Sequence, residues 1–299
     1  MRIHPPSTLP LVAALVALQA GCRAEEEPGN TAEGSSAGTC EGGEPVVGLL
    51  RTLAFVRADA DGVSEGFDLD GAVSTESDAI GCGIADYVDP EGHTGIDNAW
   101  ARVQPALDLT EAAAIEGLIQ SSIEAGNLLL MYQITGVDDL VNDDCVDFTV
   151  LRGTGTPMLG TDGLILSGQT FDRDLSIPAV HVGQASIVDG VLIAAPLELS
   201  IPLTVFDVNV DFKVQGGAFR VNLEDAENAS GVMGGGTNID ALVEVAETNN
   251  VDAALAGIMQ SLLDASADLW PDEGGVCHDI SVNFEYDAVS AYFYEDTGP

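Results

Sequence analysis

The sequence predicts a mainly β protein of the α+β class, an antiparallel sandwich or barrel of about nine strands covered by about three or four helices. Three observations predict it. Phe206, Val208, Val210, Phe212 and Val214 alternate with Asp207, Asn209, Asp211 and Lys213, the period of a strand with one wet and one dry face. Gly216-Gly217 follows and reads as a two-residue hairpin turn, as do Asp162-Gly163 and Asp189-Gly190, because these residues tolerate positive φ. Helical periodicity interrupts the strand-like runs in only a few places. A turn at Gly216-Gly217 would set Val214 opposite Phe219, Phe212 opposite Val221 and Val210 opposite Leu223. In that register Lys213 faces Arg220 on the wet side. Two like charges directly opposed ask for a negative partner: either diagonal Asp211 or a small anionic ligand such as a sugar acid, which makes Lys213 and Arg220 candidate ligand-binding residues.

Taken in order, the chain opens with Arg2 and an apolar run, Leu9 to Leu18, too short to span a bilayer but right for a secretory leader. Gln19-Ala20-Gly21-Cys22 comes next. This resembles the lipobox of bacterial lipoproteins, where signal peptidase II cleaves ahead of a cysteine that carries lipid. Ala20, Gly21 and Cys22 fit the motif; Gln19 stands where leucine is usual, with Leu18 one place earlier. The resemblance implies a leader at 1–21 and lipidation at Cys22. With Arg23 rather than Asp following, it also implies attachment to the outer membrane. Residues 22–46 are small, polar and acidic and read as a tether, ahead of a single β-rich domain at 47–299.

Five cysteines are an odd set for an exported chain. Setting Cys22 aside leaves Cys40, Cys82, Cys145 and Cys277, which can form two disulfides in any of three connectivities. The charge balance is extreme: 49 acids against 9 Lys plus Arg, a formal net charge of −40. That field repels nucleic acid and anionic headgroups and excludes DNA or RNA as partners. An apolar fraction of 46% excludes a disordered acidic chain.

Val46 to Val56 reads as the first strand. Between Asp59 and Asp97 lie eleven acids and no Lys or Arg. Asp59-x-Asp61-Gly62 and Asp68-x-Asp70-Gly71 set oxygen donors beside glycines that permit sharp turns, and Asp86, Asp89, Glu91 and Asp97 follow. These pieces resemble the DxDG-type calcium loops of extracellular proteins, and the resemblance implies calcium on some of these carboxylates. They do not form an EF-hand, since the sixth position counted from Asp59 is Ser64. Asp-Gly pairs are equally good as plain turns.

Beyond this segment, Asp97 is a candidate cap for a short helix ending near Pro105. Ile115, Leu118, Ile119 and Ile123 mark a second helix over 109–125. Pro196 and Pro202 place their strand at an edge or a bend. Ile239–Glu247 and Val251–Trp270 read as helices, the latter capped by Asn250. Ile280, Val282, Phe284 and Tyr286 alternate in a last long strand.

Motifs of chemistry are few. No HExxH, Cys/His zinc spacing or GxSxG occurs, which disfavours zinc and serine hydrolases of those types. Gly153, Gly155, Gly160 and the run Gly234 to Gly236 read as turns rather than phosphate loops. The expectation is a non-enzymatic, lipid-anchored envelope protein with a structural or binding role, its partner an envelope protein or a glycan. A lectin-like carbohydrate-binding module and a carboxylate-dependent hydrolase are the alternatives.

Overall fold

The computed structural model describes residues 40–109, 111–205, 208–223, 225, 227–248 and 253–294. The leader, Cys22, the tether up to residue 39, Phe206, Asp207 and Asn250 lie outside the described residues.

The chain begins with β1 (Val46–Leu50) and β2 (Ala54–Phe55), then a small hairpin of β3 (Tyr87–Val88) and β4 (Thr94–Ile96). Two helices follow, α1 (Trp100–Leu107) and α2 (Ile115–Glu124). Strands β5 (Leu129–Thr135), β6 (Asp143–Thr154), β7 (Gln169–Arg173), β8 (Val180–Val188), β9 (Val191–Val205), β10 (Val208–Leu223) and β11 (Asn228–Asn238) come next. Helices α3 (Ile239–Thr248) and α4 (Ala253–Asp264) precede the last strand, β12 (Asp279–Phe293).

Eight of these strands close a ring. β1 pairs with β5, then the order runs β6, β8, β9, β10, β11 and β12, and β12 returns to β1 through Gly48 opposite Ser290 and Leu50 opposite Ala288. Every step around the ring is antiparallel. The fold is therefore an antiparallel barrel, and closure removes the exposed edges an open sheet would leave. β7 lies between β6 and β12, parallel to the latter, and β2 extends the edge of β12 by pairing Phe55 with Phe284.

The interior is an aromatic column. Tyr132 on β5, Phe148 on β6, Phe219 on β10 and Tyr286 on β12 meet with ring centroids 5.1–6.0 Å apart. Strands on opposite sides of a ring touch in this way only through its inside. The rings need room, and glycines give it. A Cβ on Gly48 would lie 2.2 Å from the Tyr132 ring, and one on Gly231 would lie 2.6 Å from the Tyr286 hydroxyl. That hydroxyl crosses over Gly231 to donate to the Arg220 carbonyl on the strand beyond.

The expected turn at Gly216-Gly217 is corrected: these residues sit inside one unbroken strand, β10, which pairs with β9 on one side and β11 on the other. The register slips between Val214 and Phe219, a β-bulge. Buried Val214 and buried Phe219 occupy even and odd positions, and this flip of parity is what a bulge and a two-residue turn share. Lys213 consequently faces Ser200, and Arg220 faces Ile193 and Val232; the two cations are not opposed.

Gly234 to Gly236 are likewise not a turn. They run through the middle of β11, where an added Cβ would lie 2.0 Å from Asn283 Oδ1 at Gly234 and 2.5 Å from the Trp270 ring at Gly236. The Asp189-Gly190 hairpin is as expected, joining β8 to β9 with both residues at positive φ. Among the described residues β8 pairs with β9 at Val191 and Leu192, Pro202 pairs with Asp211 on the β10 side, and Pro196 lies where the β9–β10 register slips, positions an edge or a bend allows proline.

Candidate metal centre

Residues 56–98 pack on the outside of the barrel, across β10, β11 and β12. Val56 and Phe67 join Ala218 and Val232 in a small apolar cluster separate from the main core. Val56 N–H donates to the Asn283 carbonyl, Asn283 Nδ2 donates to the Asp97 carbonyl at 2.7 Å, and Ala99 N–H donates to Ser281 Oγ. Asn283 and Ser281 are completely buried. The first half of β12 is thus covered on both faces, which is why polar residues alternate there without reaching water.

This covering layer gathers acids. Asp68, Asp70 and Asp97 bring one carboxylate oxygen each to within 4.8 Å of one another. Each uses a carboxylate oxygen on a backbone N–H: Asp68 Oδ1 accepts from Gly71, Asp70 Oδ1 from Ala72 and Asp97 Oδ2 from Leu69, all near 2.7–2.8 Å. Asp97 does not cap α1; it clamps the Asp68–Asp70 turn instead. The other oxygen of Asp70 is buried with no hydrogen-bond partner. Asp86 stands beside the group, accepting from Ser74 N–H, near enough for its charge to act on Asp97.

Electrostatics follow from that crowding. Asp97 is 2% exposed, and burial pushes its carboxyl up to about 8; the Leu69 N–H opposes the shift, while the charges of Asp268, Asp70 and Asp86 add to it. Asp70 and Asp86 are also raised, mainly by burial. Among the described residues the ion pairs join Arg57 to Asp108 and Glu116, Arg220 to Glu65, and His93 and His278 to Asp89 and Asp272. None reaches Asp68, Asp70, Asp86 or Asp97. Asp68, Asp70 and Asp97, exposed, half-buried and buried in turn, therefore crowd together beside Asp86 without an ion-pair partner among the described residues, and oxygen donors so grouped are the kind a hard divalent ion uses.

The remaining acids expected to bind metal are placed elsewhere. Asp59 Oδ1 accepts from Asp61 and Val63 N–H groups, closing its own turn. Asp89, Glu91 and His93 form a second group within 4.8 Å. Here burial disfavours the Asp89 carboxylate, but the side-chain and backbone bonds of His93 outweigh it and hold Asp89 low. The same contact, His93 Nδ1 at 2.7 Å, raises the imidazole. Asp89 and His93 thus satisfy each other.

Asp268 was not among the residues singled out by pattern. It is buried, bonded by Ser281 N–H and Oγ–H, and pushed up to about 7 by burial against those two bonds. Its signal was available: an acid between Ala267 and Leu269, followed by Trp270, is an acid inside an apolar run.

Disulfides Cys40–Cys145 and Cys82–Cys277 pair all four cysteines beyond Cys22. Cys82–Cys277 pins the acidic layer to the start of β12. Paired cysteines of this kind place the chain in an oxidising, extracytoplasmic compartment. No helix among the described residues is long and apolar enough to cross a membrane. Comparison with protein-family models, with curated proteins and with solved structures finds no match to this chain.

Proposed function

We propose that this chain is a non-enzymatic, lipid-anchored protein of the cell envelope, held at the outer membrane through Cys22, with a structural or binding role and an acidic layer tied down by calcium. The observation that carries the metal half is Asp97, a buried carboxyl among Asp68, Asp70 and Asp86 with no cation paired to any of them among the described residues. All-oxygen donors favour calcium over softer metals. The anchor half is supported by the Ala20-Gly21-Cys22 motif and by cysteine parity. The four other thiols pair with one another and leave none for Cys22.

Thermal unfolding at fixed ionic strength tests the metal. Calcium raises the midpoint relative to EDTA through binding to the folded state alone, and Asp70→Asn with Asp97→Asn abolishes the rise. An equal rise with sodium would mean general screening and sink the reading. The anchor is tested by labelling cells with an alkyne fatty acid, where Cys22→Ser removes the label from the protein. Label retained in that variant places the lipid elsewhere or discards it.

A further inference from the structure

The acidic layer covers only part of the outer face of β10–β12. Beyond it, register places Arg220, Val232 and Glu285 side by side on three strands, and Asn222, Ser230 and Asp287 in the next row. These two rows floor an open groove of about 420 Å³, the size of a small-ligand site. Thr52 and Ala54 wall it beside β12, and Glu65 walls it from the acidic layer.

Part of its charge is answered within the protein. Glu65 is paired with Arg220, whose guanidinium also lies over the Phe67 ring. The Asp287 carboxylate accepts the Thr52 hydroxyl, and Thr52 Oγ1 accepts from Asp287 N–H. Arg57 stands close enough for Glu285 to act on its charge. Arg57 itself is bound to Glu116 and Asp108, so Arg220 is the cation lining the groove among the described residues. Carboxylates on three sides reject an anion, and Arg220, paired with Glu65, opposes a bare cation on that side. What is left is a dense set of hydrogen-bond donors and acceptors with planar carboxylate and amide groups, beside a small apolar wall at Ala54.

We infer that this groove binds a neutral sugar residue of a glycan. Vicinal hydroxyls donate to the carboxylates of Glu285 and Asp287 and accept from Asn222, while the C–H face of the ring rests against Ala54. The inference rests on the binding role proposed above and names its ligand class; it does not use the metal.

Saturation-transfer NMR with the methyl glycosides of glucose, galactose, mannose and N-acetylglucosamine tests it, with the protein in calcium and in EDTA. At least one glycoside is expected to receive transfer in calcium. Glu285→Gln with Asp287→Asn is expected to weaken that binding by about tenfold or more, with the calcium-dependent midpoint unchanged. Asn222→Ala should give a smaller loss, and it serves alone if the double variant does not fold. Transfer to none of the glycosides, affinity untouched by both variants, or displacement of the glycoside by methylammonium overturns the inference. Glycoside binding that persists while calcium leaves the midpoint unmoved supports the groove and overturns only the metal reading.

Discussion

The inside of the barrel and the acidic layer on its outside solve opposite problems with the same chain. Inside, Tyr132, Phe148, Phe219 and Tyr286 are packed against one another and against glycines trimmed to fit them. Their stability comes from area removed from water and calls on no titrating carboxylate or bound ion. Outside, Asp68, Asp70, Asp86 and Asp97 are crowded into a place where their charges disfavour one another. That region depends on protons or ions. The difference teaches that one face of a sheet can be fixed by shape and the other left conditional on solution chemistry.

The largest effect expected on the apolar side is from Phe219→Ala. Phe219 has no exposure and touches three rings, so its loss should cost about 3–5 kcal/mol in urea unfolding, equally in calcium and EDTA. A calcium-dependent cost would show that the two regions are not separate. Replacing Cys82 and Cys277 by Ala releases a crosslink spanning 195 positions, and a loss of about 2–5 kcal/mol is expected. It should also weaken the calcium shift in midpoint, because the acidic layer is then free at one end.

Asp268→Asn sharpens the comparison through pH. The folded state holds the Asp268 proton up to about 7 against an ordinary 3.8. The raised value stabilises the fold fully below about pH 4 and loses that stabilisation as pH climbs through 7. In EDTA the parent midpoint should therefore fall over that window, and the fall should be shallower in the variant, whose amide carries no charge at any pH. An identical slope in both would remove Asp268 from the account. The smallest effect is expected for Asp59→Asn, which keeps the oxygen that accepts from Asp61 and Val63. Stability should stay within about 0.5 kcal/mol, and the calcium shift should be that of the parent.

Much of the barrel was legible because period-2 alternation reports burial on one face directly. Ile280, Val282, Phe284 and Tyr286 are all buried as read, and Asp189-Gly190 turns where positive φ is needed. The bulge at Gly216-Gly217 was misread as a turn because both invert the parity of the apolar positions; strand pairing, a long-range property, decides between them. The same limit hid the function of Gly234 to Gly236, whose missing side chains are explained only by Asn283 and Trp270 from elsewhere. Within the acidic segment the donor types were visible but their grouping was not. Asp97 joins Asp68 and Asp70 because its backbone bonds Phe67 and its carboxylate bonds Leu69, contacts that no spacing rule anticipates.

Ring closure by β1 and β12 has a consequence for how the molecule is made. The pairing of Gly48 with Ser290 joins strands 242 positions apart in the chain. Contacts so distant in sequence form late and slowly. Until β12 arrives, β1 and β11 each expose an unpaired ladder that other chains can dock against. Deleting the final strand should therefore yield a product that clumps, rather than a smaller version of the same protein.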